Sequence, residues 1–414
     1  MKFNSLKICT ILLYLIPPTL VVGPFLPDFF LSIISIIFII NSFYRRSFSY
    51  FKFKFFYFFI FFWILINLSS LTSVVLLDSF KSSFFFIRFG IFSLAVVWIL
   101  ENNQDIFKNL LKIFIIIYII LFIDSNIQFY LGANIFNLPI REDNRISSFF
   151  DEELIMGSYI VRFLPFVICL YLVEKFKKRY LFFLIFLSNI LIIYSGERVS
   201  FFFIIILNFL FILRLYHLKK SIILLFILFT LISFFIIINK DLFNRLVVYT
   251  KTQLSYAPYE IEYKKNKFES SYPKYIFSKQ HQGHIEVAIN IFLENPWLGA
   301  GIKSFRNLCN KIQFNKNLIL DYCSTHPHNI YIQLLAENGI FVFTFVISLW
   351  IFLSIKLLKL FFNKSLYNLP TYALLLGFCI NLFPLVPSGN IFNNYLCVIM
   401  FYPVGFFLYF QNKT

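Results

Sequence analysis

Four of the five histidines fall between residues 281 and 328, in a polar stretch that ends where a long apolar segment begins. The densest group is His326-Pro327-His328-Asn329. Proline suits the first turn of a helix, so His328 and Asn329 are predicted at a helix N-terminus. Free backbone N–H groups and the helix dipole favour an anion there. A neutral imidazole beside such an anion can act as a general base near neutral pH. The alternative is a polar cap on a membrane helix without a chemical role.

Several arginines occur where charge is costly or unexpected. Arg198 follows the turn Ser195-Gly196-Glu197, Arg306 follows the tight turn Gly299-Ala300-Gly301, Arg88 interrupts an apolar span, and Arg145 lies in a polar connection. A guanidinium suits bidentate recognition of phosphate, and ionisable residues in membrane segments are functional by default. Together with the histidines, these cations favour an anionic, lipid-linked substrate. For each arginine, snorkelling or a salt bridge is the structural alternative, for example Arg145 with Glu152.

Three further features bear on the same region. Glu337 lies about two and a half turns into the apolar segment that follows His328, at a depth where a carboxylate needs a cavity or a partner. Cys309 and Cys323 would close a loop of about 15 residues, and a disulfide there is worth on the order of 3 kcal/mol; two free thiols are the alternative. The four histidines could also bind zinc, but no HExxH or CxxC pattern accompanies them.

The elements that must position these residues are membrane helices. Of 414 residues, 59% are hydrophobic and only 14% are charged, against about a quarter charged in an ordinary soluble domain. Apolar runs long enough to cross a bilayer can satisfy their backbone hydrogen bonds only as helices. About twelve spans are predicted, at 8–23, 26–43, 54–71, 83–100, 111–130, 154–173, 180–195, 200–215, 221–239, 328–355, 370–385 and 389–410. The predicted fold is an all-α polytopic membrane protein.

The net charge of +17 is concentrated in every second short connection, for example at Arg45, Arg214 and Lys356. Under the positive-inside rule, this pattern places both termini in the cytoplasm. It is a topology signal, and no nucleic-acid motif accompanies it. The connections predicted to face outward lie near Gly23, near Asp78, and at 131–153, 195–200, 240–327 and 384–393. The chain is accordingly divided into spans 1–239, one large outward loop 240–327, and spans 328–414. Within that loop the spacing of apolar residues from His284 to Phe292 predicts a helix, which Asn295-Pro296 would end.

These residues resemble the O-antigen ligases and the related O-antigen polymerases, polytopic membrane proteins with a large periplasmic loop late in the chain. That family carries a His-Asn pair followed after nine residues by Gly, as do His328-Asn329 and Gly339 here. The segment Asn295 to Gly301 is similar to the family's Asn-Pro-x-x-Gly-x-Gly signature, and Arg198 is similar to a family arginine that follows a middle helix.

Two positions depart from the family pattern. Val342 stands where the family often has a second glycine. His281 and Ile285 stand where it usually has an arginine and, four residues later, an aromatic residue. Either His281 takes part of that arginine's role, or Arg306 does, or the substrate differs.

The resemblance implies a GT-C-like fold and an inverting, metal-independent glycosyl transfer that needs no cofactor, on the periplasmic face of the bacterial inner membrane. The donor would be a glycan on undecaprenyl diphosphate, and the acceptor would be lipid A–core for a ligase or the growing glycan for a polymerase. His328 and Asn329 would be catalytic, with His328 orienting or deprotonating the acceptor hydroxyl. The diphosphate would be bound by Arg198, Arg306, His281, Arg88 and Arg145. His326, Glu337, Gly299, Gly301 and Gly339 would support the site.

Two other classes of function compete with an enzyme. A transporter or flippase of lipid-linked glycans should concentrate polar residues and broken helices at mid-membrane, often in repeated halves. A structural membrane protein would not need the histidines and arginines. The polar residues of this chain concentrate in one outward loop and at the helix start that follows it, which favours the enzyme.

Overall fold

A computed structural model of the protein describes residues 2–103, 105–140, 144–174, 178–254, 279–311, 313–314, 323–363 and 368–413. Regular structure in these residues is helical, apart from one isolated bridge between Ala133 and Pro139. The all-α polytopic membrane fold is therefore confirmed. Residues 255–278, in the first part of the predicted outward loop, lie outside the described residues.

The α-helices follow one another as α1 (Lys2–Val22), α2 (Phe25–Tyr44), α3 (Lys54–Ser70), α4 (Leu76–Phe84), α5 (Ile87–Asn102), α6 (Ile106–Leu131), α7 (Met156–Val173), α8 (Lys178–Ser195), α9 (Arg198–Leu215), α10 (Leu218–Ile238), α11 (Lys240–Phe243), α12 (Tyr249–Leu254), α13 (Lys279–Glu294), α14 (Phe305–Leu308), α15 (Ile330–Phe362), α16 (Leu369–Asn381) and α17 (Asn394–Lys413). A π-helical turn, Asn244–Val248, joins α11 to α12. Helix α13 agrees with the helix predicted around His284 to Phe292, and it ends at Glu294, directly before Asn295-Pro296.

Nine segments of the described chain are long and apolar enough to cross a membrane. Three shorter apolar helices, Lys54–Ser70, Tyr180–Ser195 and Leu369–Asn381, coincide with three further predicted spans. The total of twelve crossings stays a prediction, because these three helices are short for a bilayer about 30 Å thick.

The centre of the bundle is formed by α5 and α7, which pack against α17 and α16 respectively. Over an apolar stretch of 18 residues in each span, 72% are buried in the span that includes α5 and 83% in α7, whereas only 28% are buried in α10 and 22% in α15. Because α10 and α15 expose most of their apolar side chains, these two helices lie at the periphery, where lipid would cover them.

The segments predicted to face outward meet at one end of the bundle. The Ser388 N–H donates to the His328 carbonyl oxygen (2.8 Å), and the Arg145 Nε donates to the Ser195 carbonyl oxygen (3.1 Å). The Thr72 hydroxyl, which follows α3, donates to the Gly299 carbonyl oxygen (2.9 Å). The fold thus gathers connections that are far apart in sequence, and the candidate site lies where they meet.

Helix α15 differs from the single continuous span predicted for this segment. Its backbone leaves the helical conformation at Gly339 (φ 71°, ψ −173°) and then resumes. The physical reason is a backbone-to-backbone contact with residues 296–301, described below.

Candidate active site

The four clustered histidines of the sequence are brought together in space by α13 and by the residues that precede α15. The ring of His328 is at the centre, with ring centroids 4.2 Å from His326, 5.3 Å from His284 and 5.5 Å from His281. His281 and His284 lie three residues apart on α13 and so project from the same face of that helix. We call these four side chains the histidine cluster; the fifth histidine, His217, precedes α10 and has no place in it.

The backbone at His328 is held in an unusual conformation. His328 has φ +55°, in the left-handed region, which costs a non-glycine residue on the order of 1–3 kcal/mol. Two contacts with Ser388 hold the conformation: its N–H donates to the His328 carbonyl oxygen (2.8 Å), and its hydroxyl accepts from the Ile330 N–H (2.9 Å). A strained residue maintained by its surroundings is typical of a functional site, because the strain fixes the direction of the side chain.

Asn329 begins α15 as its N-cap. Its side-chain oxygen accepts from the N–H groups of Tyr331 (3.0 Å) and Ile332 (3.2 Å), and its amide nitrogen donates to the Pro384 carbonyl oxygen (2.8 Å). The side chain is buried. These bonds tie the start of α15 to the 384–388 segment, so Asn329 positions its neighbour His328.

The electrostatics at three members of the histidine cluster, His281, His326 and His328, favour the neutral imidazole. Burial, followed by the neighbouring histidines, lowers the pKa of His328 to about 3. Burial is also the main cause that lowers the pKa of His326 to about 4, and it lowers the pKa of His281. At neutral pH these rings therefore have a nitrogen lone pair available to accept a proton or a hydrogen bond.

Two of the predicted arginines lie near the histidine cluster. Arg198 is close enough to lower the pKa of His281 by charge repulsion, and Arg306 acts in the same way on His326. The site thus combines two guanidinium groups with neutral imidazoles, an arrangement suited to binding an anion.

The other two predicted arginines have different surroundings. Arg145 donates from Nε to the Ser195 carbonyl oxygen (3.1 Å) and from Nη2 to the Leu154 carbonyl oxygen (2.7 Å), which holds the turn that carries Arg198. Arg88, the second residue of α5, forms a salt bridge with Asp28 of α2 at 2.9 Å and also donates to Asn394. No contact joins Arg88 to the histidine cluster among the described residues, and its surroundings favour the salt-bridge alternative.

The Gly-x-Gly turn packs directly on the break in α15. The Ala300 and Gly301 N–H groups donate to the carbonyl oxygens of Ala336 (2.9 Å) and Glu337 (2.7 Å). Gly299 and Gly339 both have positive φ, and a Cβ on Gly299 would collide with the backbone of residues 337–338. The Gly299-Ala300-Gly301 turn and Gly339 therefore lie on the two sides of one backbone contact.

Glu337 connects this contact to Arg306. The carboxylate is fully buried and accepts from the Phe305 N–H (3.2 Å) and from the Gln333 amide (2.8 Å). Since Phe305 is the first residue of α14, Glu337 fixes the helical turn that carries Arg306.

A disulfide joins Cys309 and Cys323, with the Cα atoms 5.1 Å apart. Cys309 directly follows α14, and Cys323 lies three residues before His326. The disulfide therefore connects the Arg306 turn to the segment that leads from Cys323 to His326. The other four cysteines are free and buried.

No group of three or more His, Cys, Asp or Glu side chains is arranged to hold a metal ion within the described ranges.

Sequence reasoning missed three residues that shape the site. Ser388 holds the His328 backbone, Glu197 anchors the Arg198 turn through hydrogen bonds to the start of α7, and Arg162 lies buried in α7. Of these three residues, only Arg162 could have been identified from the sequence, because an arginine within an apolar span needs a partner. Ser388 and Glu197 act through contacts that only the fold creates.

Among the comparisons with known proteins, one gives a match. No curated protein matches the chain. A family model described as O-antigen ligase matches residues 181–347, a stretch that includes the Arg198 turn, the histidine cluster and the break at Gly339. Over these residues the chain is similar to the O-antigen ligase family, which supports a membrane glycosyltransferase of the ligase and polymerase type.

Proposed function

We propose that this protein is an O-antigen ligase, which transfers a glycan from undecaprenyl diphosphate to lipid A–core on the periplasmic face of the bacterial inner membrane. One observation carries the proposal: the histidine cluster, centred on His328 before the start of α15, lies near both Arg198 and Arg306. Neutral bases near two cations suit a reaction whose leaving group is a diphosphate.

The proposed step is a single displacement. The acceptor hydroxyl oxygen forms a bond to the anomeric carbon, while the bond from that carbon to the diphosphate oxygen breaks. The electron pair of the broken bond leaves with undecaprenyl diphosphate, and the hydroxyl proton passes to His328. Attack from the face opposite the leaving group inverts the anomeric configuration.

The two arginines and the imidazole would make different contributions. Arg198 and Arg306 would stabilise the charge that develops on the diphosphate, which is the effect expected of preorganised cations. An anionic diphosphate beside His328 would raise the pKa of the imidazole, because opposite charge favours its protonated form. The ring would thereby become a stronger base when the donor is bound. No metal ion takes part in the proposed step.

The proposal is tested by surface-glycan analysis of a deletion strain complemented with the wild-type gene, with His328→Ala, or with His217→Ala as the matched control. His217 lies outside the histidine cluster, so this control replaces the same residue type without touching the site. We expect His217→Ala to restore the wild-type profile and His328→Ala to leave lipid-linked polymer unattached.

Two outcomes would overturn the proposal. Single repeat units attached to the core in the His328→Ala strain would indicate a polymerase of the same family. Identical glycan profiles for His328→Ala and wild type would refute the enzyme.

A further inference from the structure

The turn that carries Arg198 is anchored by the residue before it. Glu197 is the N-cap of α9, and Arg198 is the first residue of that helix. The Glu197 carboxylate accepts from the N–H groups of Gly157 (2.7 Å) and Ser158 (3.1 Å), at the start of α7, and from the Ser200 hydroxyl (3.0 Å). One carboxylate thus joins the first turns of α7 and α9.

The start of α7 is shaped for this carboxylate. A Cβ on Gly157 would collide with the Ser195 hydroxyl and would lie 3.0 Å from the Glu197 Oε1. A larger residue at this position would therefore displace the Ser195 side chain. Free N–H groups at a helix N-terminus, together with the helix dipole, stabilise a carboxylate.

The charge of Glu197 is opposed by two arginines, Arg145 before the turn and Arg162 buried in α7. Arg162 donates from Nε to the Ser158 hydroxyl (3.1 Å) and from Nη1 to Asn381 of α16 (2.7 Å), and it lies close enough to Glu197 for electrostatic attraction. Ser158 therefore contacts both charged groups: its N–H donates to Glu197, and its hydroxyl accepts from Arg162. A buried charge needs such compensation, since burial without a partner is costly.

We propose that Glu197 is a positioning residue for Arg198, that it anchors the Arg198 turn to α7, and that Arg162 balances its charge through Ser158. The inference rests on the proposed function, because it assigns Arg198 to binding of the donor's diphosphate. Removing the carboxylate frees the turn and moves the Arg198 guanidinium away from the place where the diphosphate is bound. A guanidinium on a loosened turn binds more weakly, because it must be ordered again on binding.

The conservative variant distinguishes positioning from charge. In Glu197→Gln the amide oxygen can still accept from the two α7 N–H groups, and the amide nitrogen can donate to the Ser200 hydroxyl. Glu197→Ala removes all three contacts. We therefore expect Glu197→Gln to retain diphosphate binding and Glu197→Ala to lose it, while both leave Arg162 without its counter-charge and lower the stability.

The experiment measures the Kd for undecaprenyl diphosphate of the full chain in nanodiscs, because the Kd of the folded fraction does not depend on how much protein is folded. The variants are Glu197→Ala, Glu197→Gln and Arg198→Ala. Asn208→Ala is the matched control, since Asn208 is a buried polar residue of the same helix α9 that donates to Asn189 of α8 (2.9 Å). We expect Glu197→Ala to raise the Kd about tenfold, equal to about 1.4 kcal/mol. Glu197→Gln and Asn208→Ala should stay near the wild-type Kd.

The failures of the two proposals are distinguishable. If Arg198→Ala raises the Kd and Glu197→Ala does not, the positioning role is refuted while the diphosphate site stands. If Asn208→Ala raises the Kd as much as Glu197→Ala, the effect is a general distortion of α9 and the positioning role is also refuted. If Arg198→Ala itself binds as tightly as wild type, the diphosphate site fails and the positioning role fails with it.

Discussion

Replacing Gly339 by alanine should destabilise the protein and abolish its activity by separating the Gly-x-Gly turn from α15. Gly339 has φ 71° and ψ −173°, a conformation open almost only to glycine. A Cβ there would collide with the Trp297 carbonyl oxygen and would lie 2.7 Å from the Gly299 nitrogen. Both contacts are to backbone, so no side-chain rotation relieves them.

The loss of stability expected for Gly339→Ala has two parts. The backbone conformation itself costs an alanine on the order of 1–3 kcal/mol. Moving the turn away also breaks hydrogen bonds across the contact, among them Ala300 N–H to Ala336 oxygen, Gly301 N–H to Glu337 oxygen and Ile340 N–H to Pro296 oxygen. At about 1 kcal/mol each, these losses bring the total for Gly339→Ala to roughly 4–6 kcal/mol.

Gly132→Ala is the matched control. Gly132 ends α6 with φ 81°, and no atom lies within 4 Å of the position a Cβ would take. This substitution carries the conformational cost alone, about 1–2 kcal/mol.

The assay is chemical denaturation of the purified protein in detergent, followed by glycan transfer in proteoliposomes. Gly339→Ala should unfold at clearly lower denaturant concentration than Gly132→Ala and should lose transfer, whereas Gly132→Ala should retain it. If both variants lose the same stability, the backbone contact between the turn and α15 contributes nothing and the reasoning is refuted.

Three further predictions concern the same end of the molecule. Replacing Cys309 and Cys323 by serine should lower the free energy of unfolding by about 3 kcal/mol and should reduce transfer, which denaturation and transfer assays of the two proteins would measure. Stability should fall as the pH falls from about 6.5 toward 4. His326 and His328 have a lower pKa in the folded protein than in the unfolded chain, so the unfolded chain binds more protons in this range. The melting temperature as a function of pH measures this effect. Arg88→Gln should lower stability without changing the Kd for undecaprenyl diphosphate, because its guanidinium is held in a salt bridge.

Each of these three predictions has an outcome that contradicts it. Unchanged stability and transfer without the disulfide would show that the bond does not fix the Arg306 turn. A double variant, His326→Gln with His328→Gln, should flatten the pH dependence of stability; the same slope in this variant would assign the effect to other groups. A higher Kd for Arg88→Gln at unchanged stability would indicate that Arg88 belongs to the diphosphate site.

Much of the fold could be predicted from the sequence, because apolar runs in a bilayer have few structural options. The nine membrane segments and the three shorter helices all coincide with predicted spans. The break at Gly339 could not be predicted, since it depends on a backbone contact with a turn some forty residues earlier in the chain. Local propensity contains no information about such a contact.

The candidate site was predictable in composition but only partly in geometry. The spacing of His326 and His328 before an apolar run indicated their place at a helix start, and the structure adds His281 and His284 to the same cluster. The sequence grouped Arg88 with the other arginines because charge in an apolar span calls for a partner. It could not name Asp28 as that partner, because the pairing depends on how α2 packs against α5.

The central claim is that His328 acts on the acceptor in a glycosyl transfer that needs no metal ion. The most direct test is the rate of undecaprenyl diphosphate release by the purified full chain in proteoliposomes that hold donor and acceptor, with a metal chelator present. A general base contributes on the order of 10²–10⁴-fold, so His328→Ala should slow release by at least about a hundredfold while His217→Ala keeps the wild-type rate. Release by His328→Ala within about threefold of wild type, or loss of the wild-type rate on chelation, would contradict the account.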